Sequence, residues 1–412
     1  MMPRLLLPAL IGLALAICQG VAVDQASAAA EASPVADSRD FAAWRADFRR
    51  RALEEGIDEA VLAPALEAMR YRPRVIELDR HQPEFVRPIW EYLDAAVSPT
   101  RVRNGRARLA EHQASAARAA ERHGVPAEVL VAIWGIESSY GAYLGDFSTL
   151  DALGTLAFEG RRRDFARGEL LDALRILEAG DVTPGRMVGS WAGAMGHTQF
   201  LPSSYLAYAV DADGDGRRDI WASIPDVLAS TAHYLDRAGW RMDEPWGAEV
   251  VLPPGFDHAQ ADGALRRSSA EWAALGVRGV DGGPLPRLEE AARTAPAGAR
   301  GPAFLVGDNF RVIRRYNNAT SYALAVSTLS DVIAGRPGIR GDWPREEPAL
   351  RQEQVRELQR RLNARGFEVG AADGILGPNT RRGLRAFQRE VGVTPDGFAT
   401  LGLLERLRRL DP

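Results

Sequence analysis

The sequence predicts a mainly α-helical protein that carries a small β-containing insertion and a C-terminal module of three helices. Apolar residues recur at helical spacing through most of residues 37–335. Between Pro245 and Pro302 the chain becomes rich in Gly, Pro and Ala, and the segment Ala248–Leu252 has the character of a short strand. Three further helical stripes follow residue 350, and these predict the C-terminal module.

The composition is that of a soluble globular protein with room for two or three domains. The chain has 412 residues, of which 46% are hydrophobic and 26% are charged. The net charge is −4, and all 51 basic residues are Arg. No basic stripe is interleaved with aromatic residues, so the sequence argues against a nucleic acid as a partner.

The N-terminus has the pattern of a secretory signal peptide. Arg4 precedes an apolar run over Leu5–Ile17, which is shorter than the roughly 20 residues that a membrane-spanning helix needs. Small residues follow at Ala26–Ala28. We therefore predict a signal peptide over residues 1–28 and secretion of the remaining chain.

The single cysteine, Cys18, lies within this signal segment, so the secreted chain is expected to form no disulfide. Leu15–Cys18 also resembles a lipoprotein cleavage box, which would attach a lipid to Cys18 and anchor the protein to the outer membrane. Ile17 occupies a position where such boxes have a small residue. Cleavage near Ala28 is therefore the favoured interpretation.

One acid, Glu137, falls on the apolar face of a predicted helix that begins at Pro126, a residue suited to a first helical turn. Glu137 follows Ile133 by four residues and Leu130 by seven, so all three share one face. Burial disfavours the charged form of a carboxyl group and prepares such an acid to donate a proton near neutral pH. The alternative is a Glu at a helix end that bonds to exposed backbone or faces solvent.

The residues after 335 divide into a linker and a small module. Residues 336–350 are rich in Gly and Pro and predict the linker. Beyond it, turn signals at Asp373–Thr380 and Thr394–Gly397 separate three helical stripes, which predict a three-helix module over residues 351–410. The apolar residues of the stripes are Val355, Leu358 and Leu362, then Leu384 and Phe387, then Leu401, Leu404 and Leu407.

Four motifs in order resemble the membrane-bound lytic transglycosylase B family: Glu137–Gly141, Gly189–Ser204, Asp211–Gly216 and Arg315–Asn318. The C-terminal module resembles the common peptidoglycan-binding domain. The resemblance implies a lysozyme-like helical catalytic domain over residues 37–335, a peptidoglycan-binding domain over 351–410, and a periplasmic location. The module's matching residues are Asp373, Gly374, Gly377, Pro378, Thr380, Phe387, Gln388, Asp396 and Gly397.

The resemblance implies cleavage of the β-1,4 bond between N-acetylmuramic acid and N-acetylglucosamine in peptidoglycan. Glu137 would protonate the glycosidic oxygen and then act as base on the C6 hydroxyl of the same muramic residue, which closes a 1,6-anhydro ring. One carboxyl group can suffice because the substrate supplies the nucleophile. No cofactor is required. Peptidoglycan glycan strands are the expected partner, and cell-wall enzyme complexes are candidate protein partners.

Further site residues follow from the resemblance one by one. Ser190 would lie near the catalytic acid and Gln199 against the sugar, whereas His197 is expected to be a rim group. Arg161 and Arg162 match a family pair that would meet the acidic peptide stems; solvated charges are the alternative.

The family's later cleft motif is matched by three residues whose chemistry suits saccharides. Tyr316 and Tyr322 offer aromatic faces on which sugar C–H groups can pack, and Asn317 offers a polar group that could orient the N-acetyl group. The alternative for either Tyr is an ordinary core residue with a bonded hydroxyl.

An aspartate-rich loop has the spacing of an EF-hand, with Gly216 at its sharp turn. Oxygen ligands at this spacing favour a hard cation, and we expect a structural Ca²⁺ or Na⁺ rather than an Asp-Gly turn without metal. Ala222 occupies the position of the usual bidentate Glu, which argues against tight binding. The expected ligands are Asp211, Asp213, Asp215 and Asp219.

Two other functions stay open at this point. A muramidase that uses water would need a second carboxylate in the same cleft, such as Asp146 or Asp151. A catalytically silent wall-binding protein is the third interpretation, although the acid, the glycine-rich segment and the Tyr-Asn motif are all present.

Overall fold

The computed structural model describes residues 38–81, 87–258 and 265–410. The predicted signal peptide and Cys18 lie outside these residues. Within them the protein is mainly helical with small antiparallel sheets, which confirms the predicted fold class. No helix in this described part is long and apolar enough to cross a membrane.

The helices are, in chain order, α1 (Ser38–Glu54), α2 (Glu59–Ala68), α3 (Pro73–Arg80), α4 (Ile89–Ala96), α5 (Pro99–Glu111), α6 (Gln113–His123), α7 (Ala127–Ser138), α8 (Thr149–Glu159), α9 (Arg163–Glu178), α10 (Pro202–Tyr208), α11 (Ile224–Arg237), α12 (Ser269–Ala274), α13 (Asp308–Tyr316), α14 (Thr320–Ile333), α15 (Gln352–Ala364), α16 (Pro378–Glu390) and α17 (Leu401–Leu410). The strands are β1 (Phe147–Ser148), β2 (Val188–Gly189), β3 (Gly247–Val251), β4 (Arg266–Arg267), β5 (Arg278–Gly279), β6 (Ala291–Thr294) and β7 (Ala303–Val306).

The described chain divides into two compact units. The helical unit comprises residues 38–81 and 107–237, and the mixed unit comprises residues 87–106, 238–258 and 265–410. One boundary between the units falls within α5. Each unit is built from stretches that are separate in the sequence.

In the helical unit, α7 packs against α6 and α11, while α8 packs against α9. Apolar side chains cover almost the whole circumference of α7, which is typical of a helix enclosed by neighbours. The short strands β1 and β2 pair antiparallel, with Phe147 opposite Gly189 and Ser148 opposite Val188. This pairing joins the segment after α7 to the start of the glycine-rich motif.

In the mixed unit, five strands form an antiparallel sheet in the order β4-β6-β7-β3-β5. All five come from the stretch around the predicted β-containing insertion, and β3 covers most of the segment expected to be a strand. Trp272 and Leu305 are fully buried in the core beside the sheet. The helices α13 and α14 follow β7, and α14 packs against α4.

The C-terminal helices α15, α16 and α17 enclose a separate apolar core that includes Leu358, Phe387 and Leu404. Two turns in this module repeat one pattern, in which an Asp accepts bonds from a Gln side chain and from the backbone two residues later. The bonds are Gln359 Nε2 to Asp373 Oδ1 (2.9 Å), Ile375 N to Asp373 Oδ1 (2.8 Å), Gln388 Nε2 to Asp396 Oδ1 (2.7 Å) and Phe398 N to Asp396 Oδ1 (2.9 Å).

Candidate active site

Glu137 lies in the last turn of α7, one residue before the helix ends. The helix begins at Ala127, so Pro126 precedes the first helical residue instead of occupying it. Leu130 and Ile133 are fully buried, whereas Glu137 is half-buried. The acid is therefore held by a rigid, enclosed helix while part of its side chain reaches solvent.

A left-handed turn follows the acid. Ser139, Tyr140 and Gly141 have φ angles of 51°, 61° and 82°. Such angles are costly for residues with a side chain and persist where the surroundings hold them. The Tyr140 ring folds back over Gly135, where an added Cβ would lie 2.5 Å from Tyr140 Cζ. This close packing explains the glycine two residues before Glu137.

The glycine-rich motif closes against the loop after α7. Ser190 is buried, and its Oγ accepts bonds from Ala192 N (3.3 Å) and Ala194 N (3.1 Å), which closes a tight turn. A Cβ added to Gly145 would lie 1.9 Å from the carbonyl oxygen of Gly189. The two backbones therefore approach so closely that only glycine fits at position 145.

Gln199 joins the same two segments with its side chain. Its φ is 50°, and its Nε2 donates to Leu144 O and to Gly196 O, each at 3.0 Å. The structure thus brings the Ser190 turn and Gln199 to the loop that directly follows Glu137.

His197 is predicted from the sequence to be a rim group. In the structure both of its ring nitrogens are bonded within the protein. Trp134 Nε1 donates to His197 Nδ1 at 2.8 Å, and Nε2 lies 3.1 Å from Trp221 O. Burial lowers the pKa of the imidazole. No motif marked this role in advance, because it depends on Trp134 and Trp221, which are distant in sequence.

Arg161 and Arg162 are exposed between α8 and α9. Arg161 donates its backbone N–H to Asp79 Oδ2 at 3.0 Å, and its Nε lies 3.4 Å from the same oxygen. The Arg162 guanidinium lies over the Phe165 ring, 4.3 Å from the centroid. Both side chains are partly held by neighbours within the helical unit and remain accessible to solvent.

Tyr316, Asn317 and Tyr322 belong to the mixed unit. The two Tyr rings are stacked, with centroids 6.4 Å apart and planes at 10°, and Tyr322 is buried. Asn317 follows the last residue of α13. Its Oδ1 is buried and has no hydrogen-bond partner among the described residues. Burial of an acceptor without a hydrogen-bond partner costs free energy, and a donor bonded to it would remove that cost.

Of the two candidate second carboxylates, Asp151 is buried and bound to protein groups. It accepts from Arg70 N at 2.8 Å and from Arg72 Nε at 2.7 Å, so it serves the packing of the helical unit. Asp146 is exposed and accepts a bond from Tyr143 Oη at 2.8 Å.

The aspartate-rich loop brings together a different set of acids from the one expected. Carboxylate oxygens of Asp211, Asp213 and Asp226 lie within 4.8 Å of one another. Asp226 is fully buried on α11, and burial raises its pKa, opposed by backbone N–H bonds. It lies beyond the EF-hand spacing, so that spacing does not mark it as a ligand. The oxygen Oδ1 of Asp215 accepts from Arg217 N, and Oδ1 of Asp219 accepts from Trp221 N and Ala222 N.

Comparison with known protein families gives two matches. The family described as the transglycosylase SLT domain matches residues 40–331, and the putative peptidoglycan binding domain matches residues 351–407. Membrane-bound lytic murein transglycosylase B of Escherichia coli K12 is 34% identical over 250 residues. That match covers 59% of this chain and 66% of the E. coli protein, just under two thirds of that relative.

Solved structures are similar over more of the chain. SltB3 from Pseudomonas aeruginosa, in complex with NAG-anhNAM-pentapeptide, is 51% identical, covers 89% of this chain and 99% of its own, and has a TM-score of 0.87. The E. coli lytic transglycosylase Slt35 in complex with calcium is 31% identical, covers 70% of this chain and 92% of its own, and has a TM-score of 0.61. The chain therefore belongs to the transglycosylase SLT family of lytic murein transglycosylases and carries a C-terminal peptidoglycan-binding domain.

Proposed function

We propose that the protein is a lytic transglycosylase that cleaves the β-1,4 bond between N-acetylmuramic acid and N-acetylglucosamine and leaves 1,6-anhydromuramoyl ends. The observation that carries this proposal is the position of Glu137, half-buried at the end of an enclosed helix and beside the loop of Ser190 and Gln199. The 51% identical SltB3 structure contains a NAG-anhNAM-pentapeptide, which has the product linkage proposed here.

In the proposed reaction, Glu137 acts first as acid and then as base. Its proton passes to the glycosidic oxygen while the bond from that oxygen to C1 of the muramic residue breaks. The carboxylate then takes the proton of the C6 hydroxyl as O6 bonds to C1. The carboxyl group is restored, and no water is consumed.

The surroundings of the other acids favour this route over hydrolysis. Hydrolytic glycosidases use a second carboxylate to attack or to activate water. The buried Asp151 is bonded to Arg70 and Arg72, so it is poorly placed to take that part. Of these two acids, the exposed Asp146 is then the one through which a muramidase would work.

We propose substrate contacts for the remaining predicted residues. The Gln199 amide nitrogen is used within the protein, so its amide oxygen is the group to accept a bond from the saccharide. Asn317 would orient the N-acetyl group of the substrate, and the stacked Tyr316 and Tyr322 would support it. Ser190 would shape the loop at the acid.

Arg161 and Arg162 are proposed to meet the acidic peptide stems of the substrate. Their exposure on one short segment between α8 and α9 supports this role, since both cations are accessible to a large anionic ligand. If these two arginines are only solvated surface charges, variants that remove them should bind the substrate with unchanged affinity.

We propose a structural cation, Ca²⁺ or Na⁺, at the aspartate-rich loop. Three carboxylates close together form an oxygen donor set that suits a hard cation, and the relative Slt35 has been crystallised with calcium. Asp211, Asp213 and Asp226 would hold it, with Asp215 and Asp219 as the further ligands expected from the spacing. The cation would stabilise the loop, and no step of the reaction is assigned to it.

The domain organisation proposed is a signal peptide over 1–28, the catalytic domain over 37–335, a linker over 336–350 and the peptidoglycan-binding domain over 351–410. The C-terminal domain would hold the enzyme on its insoluble substrate and raise its local concentration. A periplasmic location follows from the proposed signal peptide. Mass spectrometry of the mature N-terminus distinguishes cleavage near Ala28 from a lipid on Cys18.

The test is mass spectrometry of muropeptides released from purified sacculi by the mature protein and by its Glu137→Gln variant. We expect products lighter by one water than hydrolysed muropeptides, and we expect none from the variant. Hydrolysed products would indicate a muramidase, and an active variant would refute the assignment of Glu137. Binding to sacculi without any cleavage by the wild-type protein would favour a wall-binding function.

A further inference from the structure

Every polar group of His197 is engaged, and its four bonds lead to two parts of the helical unit. Its N–H donates to Ile220 O at 2.9 Å, and its carbonyl oxygen accepts from Ser138 Oγ at 2.9 Å. On the ring, Nδ1 faces Trp134 Nε1 at 2.8 Å and Nε2 faces Trp221 O at 3.1 Å. His197 therefore joins α7 to the segment around Trp221.

These partners define the tautomer of the imidazole. An indole N–H can only donate, so Nδ1 must be the unprotonated nitrogen. A carbonyl oxygen can only accept, so Nε2 must carry the proton. The ring is thus neutral, and burial, which disfavours its charged form, acts in the same direction.

Two of the four bonds reach α7 on either side of Glu137. Trp134 precedes the acid by three residues, and Ser138 follows it directly. On the other side, His197 is two residues from Gln199, whose side chain holds the loop after the acid. His197, together with the Gln199 side chain, therefore connects the acid-bearing turn to the Gln199 segment by hydrogen bonds.

The turn after Glu137 leaves little freedom around this link. A Cβ added to Gly141 would lie 2.1 Å from His197 Cε1, so the ring edge is pressed against the backbone there. Ser138 Oγ also accepts from Gly141 N at 3.1 Å. The costly left-handed angles of Ser139 and Tyr140 therefore occur within a segment that His197 and Ser138 hold in place.

We propose that His197 is a positioning residue for Glu137: its Nε2–H tautomer, held between Trp134 and Trp221, fixes the acid against the loop of Gln199. The inference rests on the proposed function of Glu137. A displacement of about 1 Å at a catalytic group can cost on the order of 100-fold in rate.

The test compares His197→Phe with His197→Gln. Phe keeps a ring without nitrogens, whereas the Gln amide offers one acceptor and one donor separated by a single carbon, as the imidazole does. Three quantities are measured: kcat for anhydro-product release from soluble glycan strands, affinity for the same strands in a Glu137→Gln background, and the NMR signal of the Trp134 indole N–H.

We expect His197→Phe to lower kcat by about 100-fold while affinity changes by less than about threefold, and His197→Gln to recover most of the loss. The Trp134 N–H should lose its protection from exchange in the Phe variant and keep it in the Gln variant. An unchanged kcat in the Phe variant, or an equal loss in both variants, would overturn the proposal.

If the Phe variant does not fold, Ser138→Ala carries the test, because it removes the bond to the His197 carbonyl, together with the bond from Gly141 N and a long 3.3 Å contact with Trp134 O. We expect kcat to fall by about tenfold, and an unchanged kcat would overturn the proposal. A wild-type protein that releases no anhydro product would instead refute the proposed function itself, and the two failures are therefore distinguishable.

Discussion

The contact of the C-terminal module with the rest of the mixed unit can be tested with a control that the module itself provides. Asp396 Oδ2 accepts a bond from Ala299 N at 2.9 Å, in the short 3-10 turn Gly298–Arg300 between β6 and β7. Its Oδ1 makes the glutamine and backbone bonds that Asp373 makes in the other repeat of the module. Among the described residues, Asp373 has no bond to the sheet. The variants Asp396→Ala and Asp373→Ala therefore differ by the Ala299 bond and by the charge that Asp396 places near Arg293.

The expected difference follows from that one bond and the charges around it. A hydrogen bond to a charged acceptor contributes about 1.5–3 kcal/mol, which is roughly a 10- to 100-fold change in an equilibrium. Arg293, on β6, is buried, and burial lowers its pKa to about 10 while the charge of Asp396 acts in the opposite direction. Asp396→Ala also removes this compensating charge, which acts on the Arg293 guanidinium.

Amide hydrogen exchange at Ala299 measures the effect directly. We expect exchange to accelerate by at least roughly tenfold in Asp396→Ala and to stay within about threefold of the wild type in Asp373→Ala. The melting temperature of the module itself should fall in both variants, since each variant loses the same bonds inside the module. Equal exchange rates at Ala299 in the two variants would refute the conclusion that Asp396 holds the module to the turn.

Three further predictions concern single positions. Gly141→Ala should unfold more readily than Gly180→Ala by more than about 2 kcal/mol in thermal or urea denaturation, because both glycines have positive φ but only the former would press a Cβ against His197. A bond from an arginine of α17 lowers the pKa of Glu357 to about 2 from an ordinary 4.5, so its stabilisation is present above about pH 4.5 and is lost as the pH falls toward 2. At pH 7 the Glu357→Gln variant should therefore be less stable than the wild type by less than about 1 kcal/mol, with a slightly lower melting temperature. The two melting temperatures should converge near pH 2. Calcium should raise the melting temperature of the wild type more than that of Asp226→Asn, and an equal rise in both would contradict the assignment of Asp226 to the cation site.

The fold was largely predictable because its signals are local in sequence. The helical spacing of Leu130 and Ile133, the strand character of Ala248–Leu252 and the turns at Asp373 and Asp396 each depend on residues a few positions apart. The family motifs likewise singled out Ser190 near the acid and Gln199 against the sugar, and both of these roles stay predictions.

The sequence could not predict contacts between distant residues. Asp226 joins Asp211 and Asp213 only because α11 folds back onto the loop, and no spacing rule for a continuous EF-hand includes it. The role of His197 depends on Trp134 and Trp221, 63 and 24 residues away. Both residues act through partners that the chain brings together by tertiary folding.

The partners of a candidate catalytic acid are likewise set by tertiary folding. From the sequence, Asp151 is an acid fourteen residues after Glu137 and a fair candidate for the second carboxylate of a hydrolase. In the structure its two oxygens face Arg70 and Arg72, and freeing it would leave buried charge and backbone without partners. An Asp151→Asn variant should therefore lose stability without a change in the type of product. The proposed route therefore uses Glu137 and the substrate's own C6 hydroxyl, whereas hydrolysed products would point to Asp146.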